Sequence, residues 1–177
     1  MGTGRSNKIT QQIGEFLVSA ELGKQGLIAT PFAGNVPKFD IIVADEYCRT
    51  LPIQVKASNS DSWKTTATDW MKLSFNEQTG QQEYLGPVEI DNPTLIYVFV
   101  RISQVKTEKD RFFILQKSEY QKVCVDDYCS WMSSKNWKRP KNPESYDCRP
   151  GINRLIKYED QWEIIKETLN GLDKKIK

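Results

Sequence analysis

The spacing of apolar and polar positions divides the chain into predicted helices and strands. Apolar residues at helical spacing predict an amphipathic helix over residues 9–26, with Ile13 and Phe16 on its buried face and a glycine at its end. The same period predicts a helix over 119–132 and a C-terminal helix over about 158–172. Helices therefore occur at the beginning, middle and end of the chain.

The strand signals lie mostly between the first two helices. Residues 50–57 alternate apolar and polar side chains, as a half-buried strand does, and a short turn separates them from an apolar run at 39–44. Residues 94–102 are apolar on both faces, which indicates an interior strand. Further predicted strands span 27–29, 71–75 and 111–115. This order predicts an α/β fold with a mixed central β-sheet flanked by helices.

The composition limits the chemistry more than it identifies it. The 177 residues suit one domain, 1–177, and no apolar run is long enough to cross a bilayer, so we expect a cytoplasmic protein. The net charge of +2 says little about partners. The chain has no histidine, which excludes Ser-His-Asp and Cys-His catalysis and histidine-ligated zinc. Catalysis has to use carboxylates, other side chains or a metal.

The predicted hairpin brings together residues suited to metal-dependent chemistry. Asp40 opens one strand, and Gln54 and Lys56 share one face of the next because they are two residues apart. A carboxylate, an amide oxygen and the Val55 carbonyl are ligands that Mg²⁺ accepts, and an ammonium group orients a nucleophile or stabilises charge. Glu15 on the first helix adds a second carboxylate. The pattern indicates a phosphodiester-hydrolysing site.

This arrangement resembles the PD-(D/E)xK nuclease superfamily: a helix Glu, an Asp opening a strand, and (D/E)-x-K on the next strand. It is most similar to the small nucleases related to archaeal Holliday-junction resolvases, in which the helix Glu stands eleven residues before a glycine, as Glu15 stands before Gly26. The resemblance covers about residues 9–60. Two positions depart from the family pattern: Gln54 replaces an acid, and Lys38-Phe39 stands where a proline often precedes the Asp.

The resemblance implies a restriction-endonuclease-like core and a Mg²⁺- or Mn²⁺-dependent DNA endonuclease. Asp40 and Glu15 would hold the metal, Gln54 and the Val55 carbonyl would complete its ligands, and Lys56 would orient the attacking water. Duplex or branched DNA is the expected substrate, a homodimer the expected assembly, and DNA repair, recombination or defence the expected role. The alternatives are a catalytically inactive nucleic-acid-binding domain with this fold and an RNA-directed nuclease.

Two further segments are candidate nucleic-acid contacts. The hydroxyl-rich stretch 58–68 follows the catalytic strand, and an irregular basic segment, 135–150, interleaves cations with aromatic residues. An ordinary solvated loop explains either stretch equally well. The residues predicted to contact nucleic acid are Ser58, Ser60, Trp63, Lys64, Lys138 and Arg139.

Other charged and sulfur-bearing residues receive structural explanations. Glu21 points well away from Glu15 on the predicted helix and is expected to be a surface charge. The four cysteines, Cys48, Cys124, Cys129 and Cys148, have spacings wider than a zinc site uses. We expect them to be reduced thiols.

Overall fold

The computed structural model describes residues 4–32 and 38–172, with side chains from residue 7 onward. Most of the predicted loop at 31–37 and the basic tail at 174–177 lie outside these residues. The helices are α1 (Gly4–Lys24), α2 (Lys117–Ser133), α3 (Ile152–Leu155) and α4 (Glu163–Leu172). The strands are β1 (Ile28–Pro31), β2 (Ile41–Ala44), β3 (Thr50–Ser58), β4 (Thr65–Thr66), β5 (Met71–Asn76), β6 (Gln81–Pro87), β7 (Ile96–Arg101), β8 (Arg111–Gln116) and β9 (Asp147–Cys148).

A mixed five-stranded sheet, in the order β1-β2-β3-β7-β8, forms the centre of the fold. β2 and β3 form the predicted antiparallel hairpin, and β7 runs parallel to β3, with Val55 opposite Val98. β8 then pairs antiparallel with β7. The predicted α/β architecture with a mixed sheet is confirmed.

Helices cover both faces of the sheet because its interior strands are apolar on both sides. Val98 and Val100 of β7 join a core with α1 and α4. Tyr97 and Phe99, on the opposite face of the same strand, join a second core with α2. β7 therefore lies between two packed layers.

The orientation of α1 differs from the prediction. Val18 and Leu22 are fully buried, whereas Ile13 and Phe16 are 42% and 57% exposed. The helix carries apolar residues on two faces, and its close approach to β3 selects the face that contains Gly14. Packing against the sheet thus decides which stripe is buried, and the outer stripe stays in contact with solvent.

Several elements outside the central sheet have no counterpart in the prediction. β6 pairs with β5 as a separate hairpin, and β9 pairs with β4. The C-terminal pattern at 158–172 is helical only from Glu163, after a short 3-10 turn. Among the described helices, none is long and apolar enough to span a membrane.

Candidate metal and nucleic-acid site

Asp40 lies where the pairing between β2 and β3 ends. Its backbone N–H donates to the Ile53 carbonyl at 2.8 Å, which is the last bond of the hairpin on this side. Two positions further along β3, the Val55 N–H lies beyond the end of β2, and it donates instead to Asp40 Oδ2 at 2.7 Å. The side-chain amide of Gln54 donates to the same oxygen. The hairpin register therefore fixes the Asp40 carboxylate.

Lys56 and Gln54 share one face of β3, as their spacing predicts. They lie opposite Phe99 and Tyr97, respectively, in the parallel register with β7. Lys56 is exposed, and its ammonium forms no hydrogen bond or ion pair with the described residues. It is therefore available to an anionic ligand.

Helix α1 supplies two further polar side chains one turn apart, Gln11 and Glu15. The Gln11 amide nitrogen donates to the Val55 carbonyl oxygen at 2.9 Å and to Glu15 Oε1 at 3.2 Å, and it lies 3.5 Å from Asp40 Oδ2. The Gln11 carbonyl oxygen accepts from the Ala57 N–H at 3.4 Å. α1 thus joins the same oxygen cluster as Asp40.

A glycine allows this close approach of α1 to β3. A methyl group placed at Gly14 would lie 2.5 Å from the Ala57 Cβ, a separation that real side chains essentially never show. Gly14 falls between Gln11 and Glu15 on the helix, so the contact sets the distance of both side chains from β3. The position of the α1 carboxylate depends on this small residue.

The two carboxylates sit in an environment that disfavours their charged forms. Burial raises the pKa of Glu15, and the nearby Asp40 charge raises it further, while the Gln11 bond lowers it. Burial also raises the pKa of Asp40. The Val55 N–H, the Lys56 charge and the Gln54 amide lower this pKa, but burial outweighs them. A cation between them would stabilise both ionised carboxylates.

The donor set fits a hard divalent cation. Oxygens of Glu15, Asp40 and the Val55 main chain converge on the single Gln11 nitrogen, between 2.9 and 3.5 Å away. Mg²⁺ and Mn²⁺ bind such oxygen ligands. No three His, Cys, Asp or Glu side chains in the described part of the chain are grouped so that they could hold a metal ion, so neutral oxygens would complete this site. Gln54 presents its NH₂ to Asp40 and would need to turn its amide to become a ligand.

A cleft of about 660 Å³ begins at Lys56 and extends beside the loop that follows β3. Tyr97 lines it, and burial raises the pKa of this tyrosine to about 12, so its hydroxyl stays protonated. Lys117 also lines the cleft and is paired with Asp91 at 2.6 Å. The full lining comprises Gln11, Lys56, Ala57, Ser58, Ser62, Trp63, Lys64, Thr65, Thr66, Asp69, Trp70, Tyr97, Phe99, Lys117 and Tyr120. Cationic and hydroxyl groups on the rim suit a phosphate chain.

The loop after β3 borders the cleft, but its side chains are engaged within the protein. The Ser58 and Ser60 hydroxyls lie 2.9 Å apart, and both donate to the Ser62 carbonyl oxygen. Trp63 is only 5% exposed and packs edge-to-face on two phenylalanine rings, so its face does not offer the predicted base-stacking platform. Lys64 is exposed and pairs with Asp147 at 3.1 Å. Lys64 is the charged member of the predicted contacts in this loop, and its side chain is 61% exposed.

Lys138 and Arg139 do not line this cleft. The Lys138 ammonium donates to the Thr79 carbonyl at the β5–β6 turn. Arg139 donates to the Ser145 and Asp147 carbonyls and stacks over Trp131. These contacts hold the 135–150 segment against the protein, which gives both cations a structural role here.

Glu21 and the four cysteines are the other candidates for metal ligands or surface groups. Glu21 pairs with Lys24 at 2.7 Å on the surface of α1, as predicted. The cysteines are free: Cys48 is exposed, while Cys124 and Cys148 are buried. A four-cysteine zinc site is absent from the described residues.

Residues of the site that the sequence analysis missed are Gln11, Tyr97 and Lys117. Gln11 is detectable in principle, because it stands four residues before Glu15 and hence on the same helical face. Tyr97 needs the parallel β3–β7 register, and Lys117 needs the packing of α2. The latter two depend on contacts that no local pattern contains.

No protein-family model and no curated protein matches the sequence. Among solved structures, the chain is similar to a bacterial homing endonuclease, I-Ssp6803I, with a TM-score of 0.48 and 14% sequence identity. The similarity covers 92% of this chain and 95% of that chain. A likeness at this level assigns no activity, so the site residues have to support any functional conclusion.

Proposed function

We propose that this chain is a divalent-metal-dependent DNA endonuclease that uses Mg²⁺ or Mn²⁺. The observation that carries the proposal is the convergence of the Glu15, Asp40 and Val55 oxygens on one point. Lys56 follows Val55 on β3, and its ammonium forms no hydrogen bond or ion pair with the described residues. Two carboxylates, a carbonyl and an unpaired lysine provide the parts that metal-assisted phosphodiester hydrolysis needs.

Each residue has a separate task in this mechanism. Glu15, Asp40 and the Val55 carbonyl hold the metal, and Gln54 adds its amide oxygen after turning. When bound, the metal polarises the phosphate and makes water a better nucleophile. Lys56 donates to the attacking water and stabilises the negative charge that develops on the phosphate oxygens. Water adds to phosphorus and gives up a proton to solvent, the P–O bond to the leaving strand breaks, and the leaving oxygen takes up a proton from solvent.

The proposed DNA path follows the cleft beside the site. Lys64 and Lys117 line it, each with its ammonium in an ion pair with an aspartate, together with Thr65 and Thr66. Lysines and hydroxyls bind phosphate oxygens without reading the sequence. The cleft therefore supports nucleic-acid binding next to Lys56, and Ser58 and Ser60 are secondary candidates because their hydroxyls already bind within the loop.

The competing function is a nucleic-acid-binding domain that has lost catalysis. Its specific support is Gln54, which brings no charge and turns its NH₂ toward Asp40. A site with two carboxylates binds Mg²⁺ less strongly than one with three. RNA is a second competing substrate, since lysines and hydroxyls in the cleft would contact the phosphates, which DNA and RNA share.

Cleavage of duplex, branched and single-stranded DNA, and of RNA, in Mg²⁺ or Mn²⁺ tests the proposal. We expect Asp40→Asn and Lys56→Met each to lower the rate by about 100-fold or more. The matched controls are Asp126→Asn and Lys72→Met, the same changes at exposed positions outside the cleft. Wild-type protein that binds nucleic acid but cuts nothing in either metal would establish the inactive domain instead.

We also propose that the chain forms a homodimer through the outer stripe of α1. Ile9, Ile13 and Phe16 lie on one helical face and are 42–57% exposed. Exposed apolar stripes are typical of protein interfaces. Light scattering after gel filtration should give a dimer for wild type and a monomer for Phe16→Lys, and a monomeric wild type would exclude this assembly.

A further inference from the structure

The amide of Gln11 occupies the point on which the metal ligands converge. Its nitrogen lies 2.9 Å from the Val55 oxygen, 3.2 Å from Glu15 Oε1 and 3.5 Å from Asp40 Oδ2. An NH₂ group has two hydrogens, so it cannot serve three acceptors fully. Its partial positive charge nevertheless substitutes for part of the charge that a cation would bring.

The orientation of this amide is fixed by the backbone of β3. The NH₂ faces the Val55 carbonyl, and the Gln11 oxygen faces the Ala57 N–H. A turned amide would place oxygen against oxygen at Val55 and NH₂ against N–H at Ala57. Gln11 therefore cannot offer its oxygen to a metal without losing both backbone contacts.

We infer that the Gln11 amide occupies the cation position, and that a divalent metal must displace this amide before it binds. The inference rests on the proposed metal site and adds a competitor to it. Gln11 holds the oxygens of α1 and β3 together when no metal is present. When metal enters, the Gln11 NH₂ leaves the Val55 and Glu15 oxygens, and its lost hydrogen bonds oppose binding.

The direction in which Mn²⁺ affinity changes on mutation of Gln11 distinguishes this role from a purely structural one. If Gln11 competes with the metal, Gln11→Met, which keeps the side-chain size and removes the amide, should bind Mn²⁺ about tenfold more tightly. A tenfold change corresponds to about 1.4 kcal/mol, the size of one or two hydrogen bonds. If Gln11 only positions α1, the same variant should misplace Glu15 and bind Mn²⁺ more weakly.

The experiment is a Mn²⁺ titration followed by the electron paramagnetic resonance signal of the free ion. Wild type is compared with Gln11→Met, Gln11→Ala and the matched control Gln12→Met, which makes the same change at an exposed neighbour on α1. We expect tighter binding in both Gln11 variants and wild-type binding in the control.

A second readout uses thermal unfolding with and without the ion. Gln11→Met should unfold at a lower temperature than Gln12→Met in EDTA, and the gap should narrow in saturating Mn²⁺, because ligands that bind only the folded state stabilise it. Unchanged or weaker Mn²⁺ binding in both Gln11 variants would overturn the inference alone. Wild type that binds no more Mn²⁺ than Asp40→Asn would overturn the metal site itself, and the inference with it.

Discussion

The contact between α1 and β3 predicts that Gly14→Ala both destabilises the protein and impairs its activity. The new methyl carbon would meet the Ala57 Cβ at 2.5 Å and Val55 Cγ1 at 3.5 Å. Carbon atoms prefer separations of about 3.5–4.0 Å, and the Ala57 Cβ is fixed to the strand and cannot rotate away. The helix therefore has to move outward by about 1 Å.

This shift has a cost in stability and a larger cost in rate. Overpacking costs about 1–3 kcal/mol, and the better helix propensity of alanine returns up to about 1 kcal/mol, so we expect a net loss of about 1–2 kcal/mol. Gln11 and Glu15 move with the helix, and the 2.9 Å bond to the Val55 oxygen breaks. A 1 Å misplacement costs about 100-fold in rate. Urea unfolding in EDTA and initial cleavage rates in Mg²⁺ measure the two effects.

Two companion variants isolate the cause. Gly23→Ala lies on the same helix with no atom within 4 Å of its new Cβ, so it should leave activity unchanged and stabilise the protein by about 0.5–1 kcal/mol. Ala57→Gly added to Gly14→Ala removes the opposing methyl group and should restore most of the rate. A Gly14→Ala protein as stable and as active as Gly23→Ala would show that α1 does not pack on β3 in this way.

Three further predictions follow from individual side chains. Gln54→Glu should tighten Mn²⁺ binding in a titration, because a third carboxylate attracts the ion. It should also lower the unfolding temperature in EDTA, because the new carboxylate repels Asp40 and Glu15 when no metal is bound. Weaker Mn²⁺ binding would argue against a ligand at this position. Arg111 donates to both carboxylate oxygens of Glu159, at 2.6 and 2.8 Å, and holds the pKa of Glu159 below its ordinary value. The pair is about one-third exposed, so Glu159→Gln should cost less than about 1 kcal/mol at pH 7. The ionised Glu159 stabilises the fold at pH values above its pKa in the unfolded chain, and this contribution is lost as pH falls through its lower pKa in the folded protein. The free energies of unfolding of wild type and Glu159→Gln, measured in urea, should therefore converge as pH falls. A difference that grows in acid would contradict the ion pair. Trp63→Ala should cost about 3–5 kcal/mol in urea unfolding, because it empties a buried aromatic contact, whereas a stacking residue on the surface would cost little.

The β2–β3 hairpin could be predicted from sequence because its determinants are local. A turn of few residues fixes the β2–β3 register, and the period of two then places Gln54 and Lys56 on one face. The buried face of α1 could not be predicted in the same way. Apolar residues occupy two stripes of this helix, and only the distant contact with Ala57 decides between them.

The burial of Trp63 and the hydrogen bonds of Gln11 depend on long-range packing as well. Trp63 reads as a surface residue because hydroxyl groups surround it in the chain, yet β7 and β8 supply the phenylalanines that bury it. Gln11 reads as one of two adjacent polar residues on a helix. Its role follows from the N–H and carbonyl groups of β3 that β2 leaves uncovered, and those belong to residues more than forty positions away.

The end of β2 before Val55 also bears on the solubility of the protein. Beyond Ile53, one side of β3 would present a bare N–H and carbonyl to solvent, and such exposed strand groups recruit strands from other molecules. Asp40 and Gln11 satisfy these groups with their side chains. Two residues of the proposed metal site thus also keep β3 from pairing with strands of other molecules. Truncation of either to alanine should promote aggregation, whereas Asp40→Asn keeps a hydrogen-bond acceptor beside the Val55 N–H.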